Sequence, residues 1–238
     1  MVHKNDAAML AIEVIDELLA NFQYKEVKKL NKVFATQEAL NEKTYFRQHL
    51  IGSMATIAFN EEEDPFSLQL MLETAIHASI KEFKIEDISN ILLSQEDVGI
   101  LIRLARSYSV QDNAEKSLKI LYGLKQNLTK KYTDFGIYND YCPFVIYNLT
   151  KTLGLMNKPK EALPLCDEGI KLCEENDEQV LLDAIIYNKA LCLDDMGDKE
   201  GCLKILQILR DKDKLVASEE MENSIKKEVQ RRNLNLET

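Results

Sequence analysis

The stretch VIYNLTKTLGLMNKPKEALPLC, Val145 to Cys166, is answered forty residues later by IIYNKALCLDDMGDKEGCLKIL, Ile185 to Leu206. Ile146/Ile186, Tyr147/Tyr187, Asn148/Asn188, Leu153/Leu193, Met156/Met196 and Leu163/Leu203 coincide. Each copy runs at the helical apolar period, turns, and resumes the period. Forty-five residues upstream of the first copy, Leu101, Leu104, Tyr108, Ser117, Leu118 and Leu121 stand for Ile146, Leu149, Leu153, Ala162, Leu163 and Cys166. Three aligned units, each with one internal turn, define a tandem helical hairpin. Such a unit buries its apolar face only against its neighbours, so the chain must stack.

Outward from this stretch the helical period continues. Leu10, Val14 and Leu18, with Ile15, Leu19 and Phe22, mark the first helix, and no alternating strand pattern occurs. The spacing predicts helices near 6–20, 23–34, 38–59, 66–80, 94–110, 113–131, 138–156, 158–175, 179–196, 198–212 and 216–233. The fold class is therefore all-α, an α-solenoid. One repeat domain over 1–238 holds the hairpins 6–34, 38–80, 94–131, 138–175 and 179–212. Residues 216–233, with Val216, Met221, Ile225 and Val229 on one stripe, cap the array or pair between subunits.

Local punctuation agrees. Ser94 and Asp97 read as a capping box. Asn157 reads as a cap residue ahead of Pro159. Gly197 reads as a helix end, with Asp198 capping the next helix. Pro164 is expected to kink its helix or delay its start. Phe83–Ile91 forms a connector with room for one short helical turn, and Glu61–Asp64 before Pro65 forms a break.

Thirty basic against forty acidic residues leave a formal charge of −10, which disfavours contact with a phosphate backbone. Lys226, Lys227, Arg231 and Arg232 read as a solvated helix face, so this chain by itself binds no nucleic acid. No apolar run reaches the ~20 residues of a membrane span, and no signal peptide is legible, so a cytoplasmic protein is expected. The five cysteines show no metal-type spacing and read as small buried hydrophobes. His3, His49 and His77 form no ligand pair, and no phosphate-cradling loop or nucleophile elbow is present. No catalytic residue, metal or cofactor is expected, and the chain is read as a binding protein that is not an enzyme.

The packing positions carry a family resemblance. Ile146, Leu149, Thr150, Leu153 and Ala162, and again Leu101, Leu104, Ala105, Tyr108 and Ser117, fill the places of the tetratricopeptide repeat (TPR). The run from Tyr147 to Cys173, then Tyr187 to Gly197, resembles the C-terminal TPR region of bacterial Xre-type helix-turn-helix regulators. Phe83 to Leu101 resembles their connector. The resemblance implies a right-handed superhelix and a ligand-sensing and dimerising region, with a short peptide on the concave face. A first hairpin starting near Asp6 leaves the DNA-reading domain out, as in a fragment or a repeat-only relative.

In such arrays the first helix of each hairpin lines the groove. That implies Arg103, Arg106, Tyr147, Asn148, Lys151, Tyr187, Asn188 and Leu191 as peptide-binding residues. Asn matches a backbone amide, a cation holds a carboxylate, and Tyr offers apolar area with a polar tip. Each has a structural alternative: the asparagines bond across neighbouring helices, and the arginines pair with acidic neighbours. Two further functions stand beside the sensor. One is a free-standing adaptor for a protein partner. The other is a response-regulator phosphatase-like protein using Gln48.

Overall fold

Five of the turns that join successive helices share one backbone conformation, and its chemistry explains where the helices stop. The computed structural model describes residues 7–37, 44–61, 64–132, 136–211, 226–227 and 229–232. Phe22, Asp112, Asn157, Asp177 and Gly197 take φ of 55°, 56°, 54°, 55° and 91°. The following N–H then reaches back to a carbonyl of the last helical turn: Gln23 to Leu18, Asn113 to Tyr108, Lys158 to Leu153, Glu178 to Cys173 and Asp198 to Leu193. This closure satisfies orphan carbonyls, and it needs a residue that tolerates the left-handed region. Asp, Asn and Gly do so. Phe22 does not, and it sits 76% exposed. It lies off the apolar stripe expected for the first helix.

The ten described α-helices are α1 (Ala7–Ala20), α2 (Tyr24–Phe34), α3 (Thr44–Asn60), α4 (Pro65–Ser79), α5 (Gln95–Val110), α6 (Ala114–Lys131), α7 (Gly136–Leu155), α8 (Pro159–Glu175), α9 (Gln179–Asp195) and α10 (Lys199–Asp211). A 3₁₀ turn, Ile85–Asp87, interrupts the connector before α5. No strand occurs among the described residues, and no helix there is long and apolar enough to cross a membrane. The fold class is all-α, and within each unit the helices pack mainly on their neighbours in sequence. The chain divides into two compact units, residues 1–120 and 121–238, with the division inside α6.

In the first unit α1 packs on α2 and α3, and α4 packs on α3 and α5. Ala8, Ala11 and Ile15 meet Val27, Phe46, Leu50 and Ile57. Leu10 and Val14 turn outward, 44% and 46% exposed. The buried stripe of α1 is thus rotated from the expected one. Alanines set it, because a small side chain lets the neighbouring helix come close.

A polar network locks the start of α5. Ser94 and Asp97 form the capping box, with the Ser94 N–H donating to Asp97 Oδ2 at 2.8 Å. The other oxygen, Oδ1, accepts from Gln48 Nε2 and Ser79 Oγ, both at 2.6 Å. One buried carboxylate therefore ties α3, the end of α4 and the N-terminus of α5.

In the second unit α7, α8, α9 and α10 pack in sequence, and α7 also lies against α9. Every residue aligned to the TPR packing positions is buried: Ile146, Leu149, Thr150, Leu153 and Ala162 here, and Leu101, Leu104, Ala105, Tyr108 and Ser117 in the α5–α6 unit. Two local expectations change. Asn157 is the left-handed residue closing α7, and Lys158 is the N-cap of α8, without a side-chain bond. Pro164 lies inside α8 and does not delay its start at Pro159. Its lost hydrogen bond is outweighed by the buried face of Ala162, Cys166, Gly169 and Cys173.

All five cysteines are buried and free. Burial pushes the Cys142, Cys173 and Cys202 thiols up to about 11. Thiolate is the reactive form. These three are therefore expected to ignore Ellman's reagent at pH 8 in the native protein and to react on unfolding in guanidinium. Prompt reaction of the native protein at these sites, mapped by mass spectrometry, contradicts the packing described.

Candidate functional site

On α7 the residues Phe144, Tyr147, Lys151 and Leu155 recur at three- and four-residue spacing and share one face. Phe144 is 43% and Leu155 65% exposed, so the row presents apolar area to solvent at both ends. The Lys151 ammonium lies 5.9 Å from the centre of the Tyr147 ring, within cation–π range. No described carboxylate pairs with it, whereas nearby Lys189 is held by Asp167 at 2.6 Å.

On α9 the residues Tyr187, Asn188 and Leu191 occupy the matching turn and are half-buried. Asn188 Nδ2 donates to Thr150 Oγ1 of α7 at 3.0 Å, and the Thr150 hydroxyl donates to the Tyr147 carbonyl at 2.9 Å. This bond stitches the two helices at the site's floor. The Asn188 carbonyl oxygen makes no hydrogen bond to a described residue, so the acceptor a peptide N–H needs is left open. Asn148 is different: it is 8% exposed, and its Nδ2 donates to the Phe144 carbonyl of its own helix at 2.8 Å. Six sequence-predicted residues thus fall on two packed helices, with Asn148 set deeper than the rest.

Arg103 and Arg106 belong to the first unit, on α5. Arg103 donates to the Thr56 hydroxyl and to the Gly99 carbonyl, and its Nη2 lies 3.7 Å from Glu96 Oε1. That is the pairing with acidic neighbours weighed as its alternative. Arg106 is exposed. Nearby, His49 Nε2 lies 3.1 Å from Asp16 Oδ1 without hydrogen-bond alignment, and Nδ1 lies 4.0 Å from Glu96.

Gln48 is 2% exposed, with its amide nitrogen committed to Asp97 and Ser79. A glutamine so placed does not reach a solvent-borne phosphoryl group, which removes the residue on which the phosphatase-like reading stood. Phe144 and Leu155 were missed by sequence reasoning. Extending the row of Tyr147 and Lys151 by one turn in each direction finds them.

No protein-family model matches the chain, and no curated protein sequence matches it. Solved structures do. The kinesin-light-chain-type protein of Podosopora anserina, with nearly identical TPR-like repeats, is 12% identical, covers 95% of this chain and 99% of its own, and superposes with a TM-score of 0.57. The fold is that of TPR-like repeats. PlcR of Bacillus thuringiensis, solved in complex with the peptide PapR7 and DNA, matches at 13% identity over 88% of this chain and 73% of that one, also with a TM-score of 0.57. At such identities the likeness establishes the fold alone.

Proposed function

We propose that this chain is the ligand-sensing and dimerising repeat region of a bacterial transcription regulator, and that its ligand is a short peptide held along α7 and α9. The observation that carries the reading is the row of half-exposed Tyr147, Tyr187 and Leu191, stitched by Asn188 to Thr150, with the Lys151 cation, paired with no carboxylate among the described residues, at its edge. An apolar row with few fixed polar groups suits an extended peptide, whose backbone needs an acceptor and whose carboxylate needs a cation. PlcR, a peptide-bound protein of the same fold, supports the reading. The role needs no cofactor, and no group of three metal-ligating side chains occurs among the described residues. DNA contact belongs to a separate domain, because this chain is acidic.

The equal likeness to the kinesin-light-chain-type repeats supports a second reading, an adaptor that holds a protein partner on the same face. Light scattering separates the two: a stable dimer supports the regulator and a monomer the adaptor.

The site is tested by capture from a random heptapeptide library. Tyr187→Ala combined with Lys151→Ala removes a central aromatic anchor, worth about 2 kcal/mol, so captured peptides bind roughly thirtyfold more weakly. Asn188→Ala, which removes the open acceptor, weakens them further. Unchanged capture by a variant with an unchanged melting curve would remove α7 and α9 as the binding face.

A further inference from the structure

Arg232, expected in solvent, instead stands at the end of the α9 face. Asp194 and Asp195 follow Leu191 by three and four residues, so they continue the row of Tyr187 and Leu191 by one turn. Arg232 Nη1 donates to Asp194 Oδ2 and to Asp195 Oδ1, each at 2.6 Å. The three side chains are 12%, 10% and 25% exposed. Arg232 and Asp194 lie largely out of water and do not behave as a surface pair, because losing one strands the other, while Asp195 adds a more exposed second carboxylate.

Val229, three residues before Arg232, packs against Ala190, Cys202, Leu206 and Leu209. Tyr187 packs against the same cluster. The tail and a candidate-site side chain therefore share one apolar wall. Val216, Met221 and Ile225, the rest of the expected stripe, lie outside the described residues.

We infer that the end of α9, with α10, is a receptor for a helical segment reading apolar-x-x-Arg. The chain fills it in cis with Val229 and Arg232, and a partner segment of the same chemistry displaces the tail. Recognition has two parts: an apolar anchor on the Ala190 cluster, and a guanidinium bridging two carboxylates. This rests on the reading of α9 as a ligand-bearing helix and names a side chain its ligand carries. A tethered tail competes at an effective concentration on the order of millimolar, so it weakens any partner by that occupancy.

The probe is the fluorescein-labelled peptide SIKKEVQRRNLN, residues 224–235, titrated by anisotropy against the full-length chain. The variant Val229→Ala, Arg232→Ala, whose own tail is weakened, is expected to bind the probe at least tenfold more tightly than wild type. Adding Asp194→Asn and Asp195→Asn abolishes that binding. Arg232→Gln alone, the milder change, shows the same direction should the double variant fold poorly. Equal binding by wild type and a variant with a wild-type melting curve overturns the inference, as does binding that survives loss of both aspartates. Library capture through Tyr187, Lys151 and Asn188 is a separate readout, so failure of tail exchange and failure of the peptide-binding reading are distinguishable.

Discussion

Asp97→Ala is expected to lower the stability of the first unit by about 2–3 kcal/mol, the largest loss for any single polar side chain described here. Asp97 is 4% exposed and accepts four hydrogen bonds: from the Ser94 amide and hydroxyl at 2.8 and 2.7 Å, and from Gln48 and Ser79 at 2.6 Å each. Alanine removes half of the capping box, worth about 1 kcal/mol. It also strands part of the buried Gln48 amide, at about 1–3 kcal/mol. Ser79 continues to accept from Gln48 at 3.0 Å, which keeps the loss below the upper end. Asp97→Asn preserves size and one acceptor and is expected to lose about half as much. Urea unfolding followed by circular dichroism checks both, together with hydrogen exchange at α5. A loss under about 1 kcal/mol for the alanine variant would mean that apolar packing alone holds α3, α4 and α5 in register.

The Asp97 network also shows where sequence reading reaches and where it stops. Ser94 and Asp97 were legible as a capping box because both partners lie within one turn of chain. Gln48 was not legible as their partner, since 49 residues separate it from Asp97 and periodicity does not say which polar residue of a helix faces inward. The same division runs through the second unit. The repeat spelled out Ile146, Leu149, Leu153 and Ala162 as packing positions, because close-packed helices demand one size of side chain at each place. It also placed Tyr147, Lys151, Tyr187 and Leu191 on one pair of helices. It did not distinguish Asn148, turned onto the Phe144 carbonyl, from Asn188, turned onto Thr150. The two share a repeat position and differ in partner: Asn188 finds the Thr150 hydroxyl on the neighbouring helix, whereas Asn148 takes the Phe144 carbonyl of its own. Arg232 escaped for the same reason as Gln48, its partners lying 37 and 38 residues away.

Gly169→Ala should be the most damaging single-methyl change in the second unit. A Cβ at residue 169 would stand 2.7 Å from Ile146 Cγ2 and 2.9 Å from Ile185 Cδ1. The Ile185 methyl ends a flexible chain and can swing away. The Ile146 Cγ2 is fixed at the branch point of a stiff β-branched residue, so α7 itself must move. Overpacking of this kind costs about 1–3 kcal/mol. Alanine returns about 1 kcal/mol through its better helix propensity, leaving a net loss of up to about 2 kcal/mol. The consequence extends past stability. Ile146 precedes Tyr147, and Ile185 lies one turn before Asn188, so a methyl on α8 spreads the two helices that carry the candidate site. The 3.0 Å bond from Asn188 to Thr150 has little slack and should break first. Gly169→Ala is therefore expected to weaken peptide capture by more than its melting temperature implies, whereas Gly154→Ala, with nothing within 4 Å of its Cβ, should leave capture unchanged and slightly raise stability. Equal behaviour of the two variants would show that the α7–α9 spacing is not what the binding face depends on.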